Sequence, residues 1–209
     1  MGDDESKPNV CFPVRKLEND RLKLIPFKIE AHAQLAYDQG TTDPFAYAQE
    51  TEGAFLYAII DKTKPSSVED PDGAMARIVS FTEGNVEARA VEIGTVRIFP
   101  SHQDTGLATL AAKILLDYAF AAPEEGGLGL LRVEWHSNTE NAASIATAHK
   151  LGFEMIGAVK YESCLADGKA RGKIGNGKPL PRWCKAGDVF RDLAMYAMYW
   201  DSWGAKDKL

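Results

Sequence analysis

Cysteine is scarce in this chain: Cys11, Cys164 and Cys184 are the only three in 209 residues. Their number is odd, their spacing is wide and no CxxC pair occurs, so neither a disulfide framework nor a cysteine zinc site is expected. Histidine is nearly as rare. His32, His102, His136 and His149 are scattered without metal-ligand spacing, so no metal is expected. Basic residues are outnumbered, 24 Lys and Arg against 30 Asp and Glu, for a net charge of −6. A general nucleic-acid binder would carry a basic face, so nucleic acid is not an expected partner. No apolar run approaches membrane-spanning length, and the polar start MGDDESKPN lacks a secretory h-region. Its acidic MG context does not favour myristoylation either. With no membrane partner and unpaired cysteines, a reducing, cytoplasmic location is the simple expectation. There is no internal repeat and no low-complexity tract.

What is present suffices for one substantial core, since 45% of the residues are hydrophobic. A single domain is expected over residues 13–203, between a disordered tail at 1–12 and a C-terminal tail at 204–209. DRLKLIPF (20–27) alternates as a strand does, and KIEAHAQLAYDQG (28–40) reads as a helix stopped by Gly40. A short second helix is expected around PFAYAQ. GAFLYAIIDK (53–62), AMARIVSF (74–81) and EARAVEIGTVRIF (87–99) read as a meander of three antiparallel strands, with TEGN as the hairpin turn. The order then changes. A helix at 105–121, a strand LLRVEWH, a helix NAASIATAHKLG and a strand FEMIGAVKY alternate, which predicts parallel pairing in this half. An irregular stretch at 162–190 leads to a last strand, DLAMYAMYW.

The stretch RIFPSHQDTGLATLAAKILLDYAF joins a strand to a helix through a turn with a single glycine. The first N–H groups of a helix have no internal partner, and the helix dipole makes that end partly positive. Gly106 would let an anion approach the backbone. The spacing is neither GxxxxGK[ST] nor GxGxxG, so nucleoside triphosphates and dinucleotides are disfavoured. A plain turn residue is the alternative at Gly106. Downstream, Asn141 and Ser144 fall on the first turn of the next helix, and KLGF closes it at Gly152.

Together, EIGTVRIFPSHQDTGLATLAAKILLDYAF and NTENAASIATAHKLGFEMIG resemble the GNAT superfamily of acyl-CoA N-acyltransferases. Within it the chain is similar to the RimJ/RimL-type branch, and closer still to fungal single-domain members with a WDxW ending like YWDSW here. The resemblance covers residues 14–203. The pattern (Arg/Gln)-x-x-Gly-x-(Gly/Ala) is matched by Gln103, Gly106 and Ala108. It implies the GNAT α/β fold: a mixed, twisted sheet of six to seven strands, helices on both faces, and a V-shaped split between the fourth and fifth strands. It implies acetyl-CoA as cosubstrate. Main-chain groups of Val96, Arg97 and Ile98 would pair with the pantetheine arm as an added strand would. The amides of Gln103, Asp104, Thr105, Gly106, Leu107, Ala108 and Thr109 would cradle the pyrophosphate. Asn141 would reach the pantetheine, and Ser144 the phosphate or adenine end. Two positions depart from the family. Its frequent Arg is Gln103 here, followed by Asp104, whose carboxylate disfavours an anion unless it faces solvent. The Tyr that many members use as a general acid is replaced by Ala148.

Acetyl transfer needs a neutral amine and therefore a base. Glu92 is the first candidate, read as in phase with Gly94, Val96 and Ile98 on one strand face and so partly desolvated. A strand-edge carboxylate with its own partner is the alternative. His136 ends a central strand, where it would relay a proton or contact substrate, or simply be hydrogen-bonded in a loop. Glu134 shares its face, and Trp135 points to the core. A backbone amide near Val96 or Ile98 would stabilise the oxyanion. An acyl-cysteine route through Cys164 or Cys184 lacks a helpful His or Asp. The basic segment DGKARGKIGNGKPLPRWCKAGD either binds an acidic group or is a solvated loop. Tyr196, Tyr199, Trp200 and Trp203 read as an aromatic cluster for the core, an acceptor cleft or a homodimer contact. The expected function is acetyl transfer from acetyl-CoA to a small-molecule primary amine. A peptide N-terminus as acceptor, or a non-catalytic acyl-CoA binder, are the alternatives.

Overall fold

The computed structural model describes residues 11–38, 53–68, 70–103 and 105–206. The expected helix around PFAYAQ, the stop at Gly40, the turn residue Asp104 and most of both tails lie outside the described residues. The chain forms two compact units, one reaching to Val133 and resuming at Tyr199, the other spanning Glu134–Met198.

The first unit carries β1 (Leu17–Glu18), β2 (Leu22–Pro26), α1 (Ile29–Asp38), β3 (Phe55–Asp61), β4 (Ala74–Asn85), β5 (Ala90–Ile98) and α2 (Leu107–Phe120). The strands pair in sequence order, each antiparallel to the next. β3 is buried along its whole length, which is why FLYAIID is nearly continuously apolar rather than alternating. One of its faces joins Leu56, Ala58 and Ile60 to Met75, Ile78 and Phe99. Each large aliphatic side chain buried there contributes roughly 1.5–3 kcal/mol. Residues of α2 spaced three and four apart, Leu107, Ala111, Leu115 and Tyr118, form its buried stripe, while Lys113 and Asp117 are exposed.

The expected meander is present, but its hairpin turn is displaced. TEGN belongs to β4, and the chain turns at 86–89 instead. Asn85 Oδ1 accepts the Ala88 N–H at 2.8 Å, and Arg89 takes a left-handed φ of 48°. The Asx side chain, not the glycine, sets the turn.

The second unit holds most of β6 (Arg132–Asn138), α3 (Ala142–Leu151), β7 (Glu154–Leu165) and β8 (Val189–Tyr199). The expected parallel pairing of β6 with β7 is not found. β8 lies between them, and β7 pairs antiparallel with β8. The last strand therefore inserts itself beside the crossover that α3 makes. The eight strands exceed the six or seven expected, because β1 is only two residues long. The C-terminal segment is not merely a tail, since Trp200–Lys206 forms α4. Among the described residues, no helix is long and apolar enough to cross a membrane.

Candidate active site

Antiparallel pairing of β4 with β5 runs from Thr82↔Glu92 and Ser80↔Gly94 to Ile78↔Arg97 and Arg77↔Ile98. From Gly94 to Arg97 the chain advances three residues while β4 advances two, and Thr95 sits at φ 48° in that bulge. The extra residue inverts the alternation. Glu92 and Gly94 thus share a face with Arg97 and Phe99. The expected phase of Glu92 with Val96 and Ile98 is corrected, because the left-handed Thr95 separates them.

Over Gly94 three oxygens converge. A Cβ there would stand 2.8 Å from Thr82 Oγ1 and 3.5 Å from both Glu92 Oε1 and Ser80 Oγ. Glycine is required by that close approach. Ser80 and Thr82 are buried, and the Ser80 hydroxyl has no hydrogen-bond partner among the described residues. A carboxylate flanked by two hydroxyls can take up an ammonium, which offers three donors. The sequence reading missed Ser80 and Thr82. Their signal was two hydroxyl residues in the one phase of β4 that faces Glu92.

Beyond Phe99 the chain makes a 3-10 turn at Pro100–His102 and enters α2 through Gly106 at φ 77°. Among the described residues, no side chain caps α2. The amides of Leu107, Ala108 and Thr109 therefore lie at the helix end, and a Cβ at Gly106 would meet no described atom within 4 Å beyond its chain neighbours. Gln103 and Thr105 are exposed beside it. Arg21, from the β1–β2 turn, donates to the Thr105 carbonyl at 2.8 Å. A guanidinium thus stands at the turn where Gln103 supplies none, which local sequence could not reveal across 84 positions.

In the second unit, α3 is capped. Asn141 Oδ1 accepts the Ser144 N–H at 3.2 Å, and Ser144 Oγ accepts the Trp135 indole N–H at 3.0 Å. Both side chains thus have local work, and Asn141 is exposed. Trp135 is buried, with Phe153 at 5.9 Å between ring centroids. His136 Nε2 lies 2.9 Å from Glu134 Oε2 on the alternate face of β6. Glu134 and His136 thus act as one couple, while Glu92 belongs to the other unit. Ala148 is fully buried and offers no acid.

The remaining candidates disperse. Asp192 gathers Lys178, the Asn176 amide at 2.7 Å and the Tyr161 N–H at 2.9 Å. Those donors, Lys178 first, hold its carboxyl down to about 2. Lys178 of the basic segment is therefore spent on fastening that segment to β8. Burial pushes the Cys164 thiol up, with Asp188 adding to it, which opposes a nucleophilic thiolate. The terminal aromatics do not form one cluster. Tyr196 is buried against the His149 ring at 5.3 Å, Trp203 donates to Asp117 Oδ1 at 3.1 Å, and Tyr199 and Trp200 are exposed. His32 Nδ1 accepts the Lys28 N–H at 2.8 Å, at the start of α1. No group of three metal-ligating side chains occurs among the described residues.

Comparison with known proteins bears on the family and the fold. The family profile described as "Acetyltransferase (GNAT) domain" matches residues 21–154. Spermidine N(1)-acetyltransferase of Escherichia coli is 31% identical over 120 residues, 57% of this chain and 61% of that protein. The chain thus matches less than two thirds of that relative's length. Among solved structures, a probable acetyltransferase of the GNAT family from Chromobacterium violaceum superposes with a TM-score of 0.64 at 21% identity, over 92% of this chain and 90% of that one. A GCN5-related N-acetyltransferase from Brucella melitensis gives 0.67 at 18%, over 94% and 84%. Spermidine/spermine N-acetyltransferase from Vibrio cholerae gives 0.61 at 16%, over 89% and 96%. The chain belongs to the GNAT acetyltransferase family and has its α/β fold, built on a mixed, open sheet.

Proposed function

We propose that the protein is an acetyl-CoA-dependent N-acetyltransferase whose acceptor is the primary amine of a small molecule. The observation that carries this is the open N-terminus of α2, entered through left-handed Gly106 directly after β5. Its contrast with α3 is telling, because Asn141 closes that helix with its side chain. An uncapped helix end keeps its orphan amides for an external anion. In this reading the amides from Gln103 to Thr109, together with the Arg21 guanidinium, hold the diphosphate. Main-chain groups of Val96, Arg97 and Ile98 hold the pantetheine beside the Thr95 bulge, between the fourth and fifth strands of the family's core. Asn141 and Ser144, in the second unit, are the further cofactor-binding candidates that the family resemblance implies. Acetyl-CoA supplies the activated acyl group.

The chain's own residues do the rest. Glu92 accepts the proton of the incoming ammonium, and Ser80 and Thr82 orient the nitrogen by accepting or donating hydrogen bonds. A backbone amide near Val96 or Ile98 stabilises the oxyanion in direct attack within a ternary complex. His136, coupled to Glu134, is the second candidate for moving a proton. With Ala148 in place of a hydroxyl, the leaving thiolate takes its proton from another donor or from water. The relatives named for spermidine support an amine acceptor; a peptide N-terminus remains the alternative. The sequence motifs support the RimJ/RimL-type branch, and the same reading takes residues 13–203 as the catalytic domain and the cytoplasm as its location.

Calorimetric binding of acetyl-CoA, run beside a thiol-release assay over a panel of amines, tests this. Binding with release on a small amine is the expected result. Absence of acetyl-CoA binding would refute it.

A further inference from the structure

The β5 bulge decides which side chain shares a face with Glu92. In an unbroken strand Val96, not Arg97, would follow Glu92 and Gly94 on that face. The extra residue at Thr95, held at a left-handed φ of 48°, exchanges the two. The rungs Thr82↔Glu92, Ser80↔Gly94 and Ile78↔Arg97 therefore lie on one face. A left-handed β-branched residue is strained, and such strain collects at functional sites. Its consequence here is a carboxylate and a guanidinium on one face of β5 with Gly94 between them. Glycine puts no side chain into that gap, and the Ser80 and Thr82 hydroxyls edge it beside Glu92.

Arg97 has no counter-charge of its own. In the row that runs from β2 to β5 its neighbours are Ile25, Ala58 and Ile78, none of which can pair a cation. Among the described residues no hydrogen bond or ion pair engages the guanidinium. The residue is half-buried, yet none of its nitrogens is, so the stem is covered and the head group meets solvent. Burial pushes the guanidinium below its usual range. A partly desolvated charge is unfavourable until a counter-ion reaches it. The donor uses only the main chain of Arg97, which leaves this side chain without a role.

We propose that the Arg97 side chain binds a carboxylate at the far end of the acceptor. The substrate is then an amine that also bears an acid, lying over Gly94 with its nitrogen at Glu92, Ser80 and Thr82. A guanidinium presents paired N–H donors matched to a carboxylate. A polyamine of the same length would instead bring its second ammonium against a cation. The chemistry at the nitrogen rests on the acetyl-transfer reading; the binding slot does not.

Thiol release from acetyl-CoA by the full chain, measured with three amines of one carbon length, tests the slot: hexylamine, hexamethylenediamine and ε-aminocaproate. The wild type should favour ε-aminocaproate over hexylamine by about tenfold or more in kcat/KM, through KM, and take the diamine last. In Arg97→Met, which keeps an apolar stem, the preference for the acid should vanish. Arg97→Glu should put the diamine first. Hexylamine is the reference within each variant, so a general loss of activity cancels. A wild type that prefers the diamine, or an order of amines unmoved in Arg97→Met, overturns the proposal. So does an Arg97→Met that weakens acetyl-CoA while the order stands, because the side chain then serves the donor. If no amine releases thiol, the acetyl-transfer reading fails by itself, and thermal protection by the same amines without donor decides the slot. There ε-aminocaproate should raise the Tm of the wild type and not that of Arg97→Met; equal protection of both, or none, refutes it.

Discussion

Replacing Gly106 with Ala separates the stability of the α2 entry from its use as an anion cradle. Gly106 holds φ 77°, and an added Cβ would meet no described atom within 4 Å beyond its chain neighbours. The protein therefore pays only the left-handed penalty of an L residue, about 1–2 kcal/mol. For a chain of this size that lowers Tm by roughly 2–8 °C. The open space is, however, where a phosphate would approach the Leu107 and Ala108 amides. A methyl there displaces it from at least two charge-assisted hydrogen bonds, each of about 1.5–3 kcal/mol. Acetyl-CoA affinity should fall by about a hundredfold or more. Gly172 is the matched control, with φ 63° and open space around it in the 166–188 segment. Gly172→Ala should cost the same stability and leave binding intact. Calorimetry and thermal melts of the two variants decide the matter. If Gly106→Ala melts lower yet binds acetyl-CoA as the wild type does, the anion does not sit at this turn.

Glu92→Gln should lower kcat by about 10²–10⁴-fold and leave acetyl-CoA affinity unchanged; unchanged turnover would remove Glu92 as base. Lys23 is buried between Asp70 at 2.6 Å and the exposed Asp72 at 2.7 Å. Burial opposes its charge, but the two carboxylates outweigh that and its pKa is raised. Chemical denaturation should therefore show Asp70→Asn losing about 3–5 kcal/mol and Asp72→Asn less than about 1 kcal/mol. Asp192 is depressed from 3.8 to about 2 by Lys178 and its N–H donors. Its stabilisation is complete above the unfolded value and is lost as pH falls through that interval. Melting curves across this range should show the gap between wild type and Asp192→Asn closing as acid is added.

Period-2 and helical patterns were sufficient to locate β2 to β6, α2 and α3 in the sequence, because each is driven by local burial. Where long-range pairing decides, the sequence reading failed. Nothing in DLAMYAMYW says that β8 will come between β6 and β7, since any strand with that alternation could occupy an edge or a centre. The bulge at Thr95 is invisible for a related reason. Threonine is a good strand former, and only the register against Ser80 and Ile78 forces it to φ 48°. That one residue moved Glu92 out of phase with Val96 and brought it onto the face of Arg97. The α2 entry was legible because glycine, helix start and strand end are all sequential. Arg21, Ser80 and Thr82 were not, as their relation to the site exists only through long-range pairing.

The distribution of charge along β4 and β5 bears on the acceptor more than the net charge does. A surplus of six negative charges draws cations from a distance, yet salt screens it beyond about 8 Å. Close to the site, groups on the ladder decide. From Thr82↔Glu92 to Ile78↔Arg97 β4 advances four residues, about 14 Å at roughly 3.4 Å each. The face is thus negative at one end, at Glu92, and positive at the other, at Arg97. A polycation with one nitrogen at Glu92 would extend further charges toward Arg97. At about 10 Å and an effective dielectric constant near 20, each such encounter costs roughly 1.7 kcal/mol, more than a tenfold loss of affinity. An amine that carries an acid at its far end would gain by the same amount, whereas one of the opposite build is repelled. If instead Arg97 is taken up by a phosphate of the donor, its charge is neutralised before the acceptor arrives. A polyamine is then admitted only after acetyl-CoA, and the order of binding follows from that one side chain.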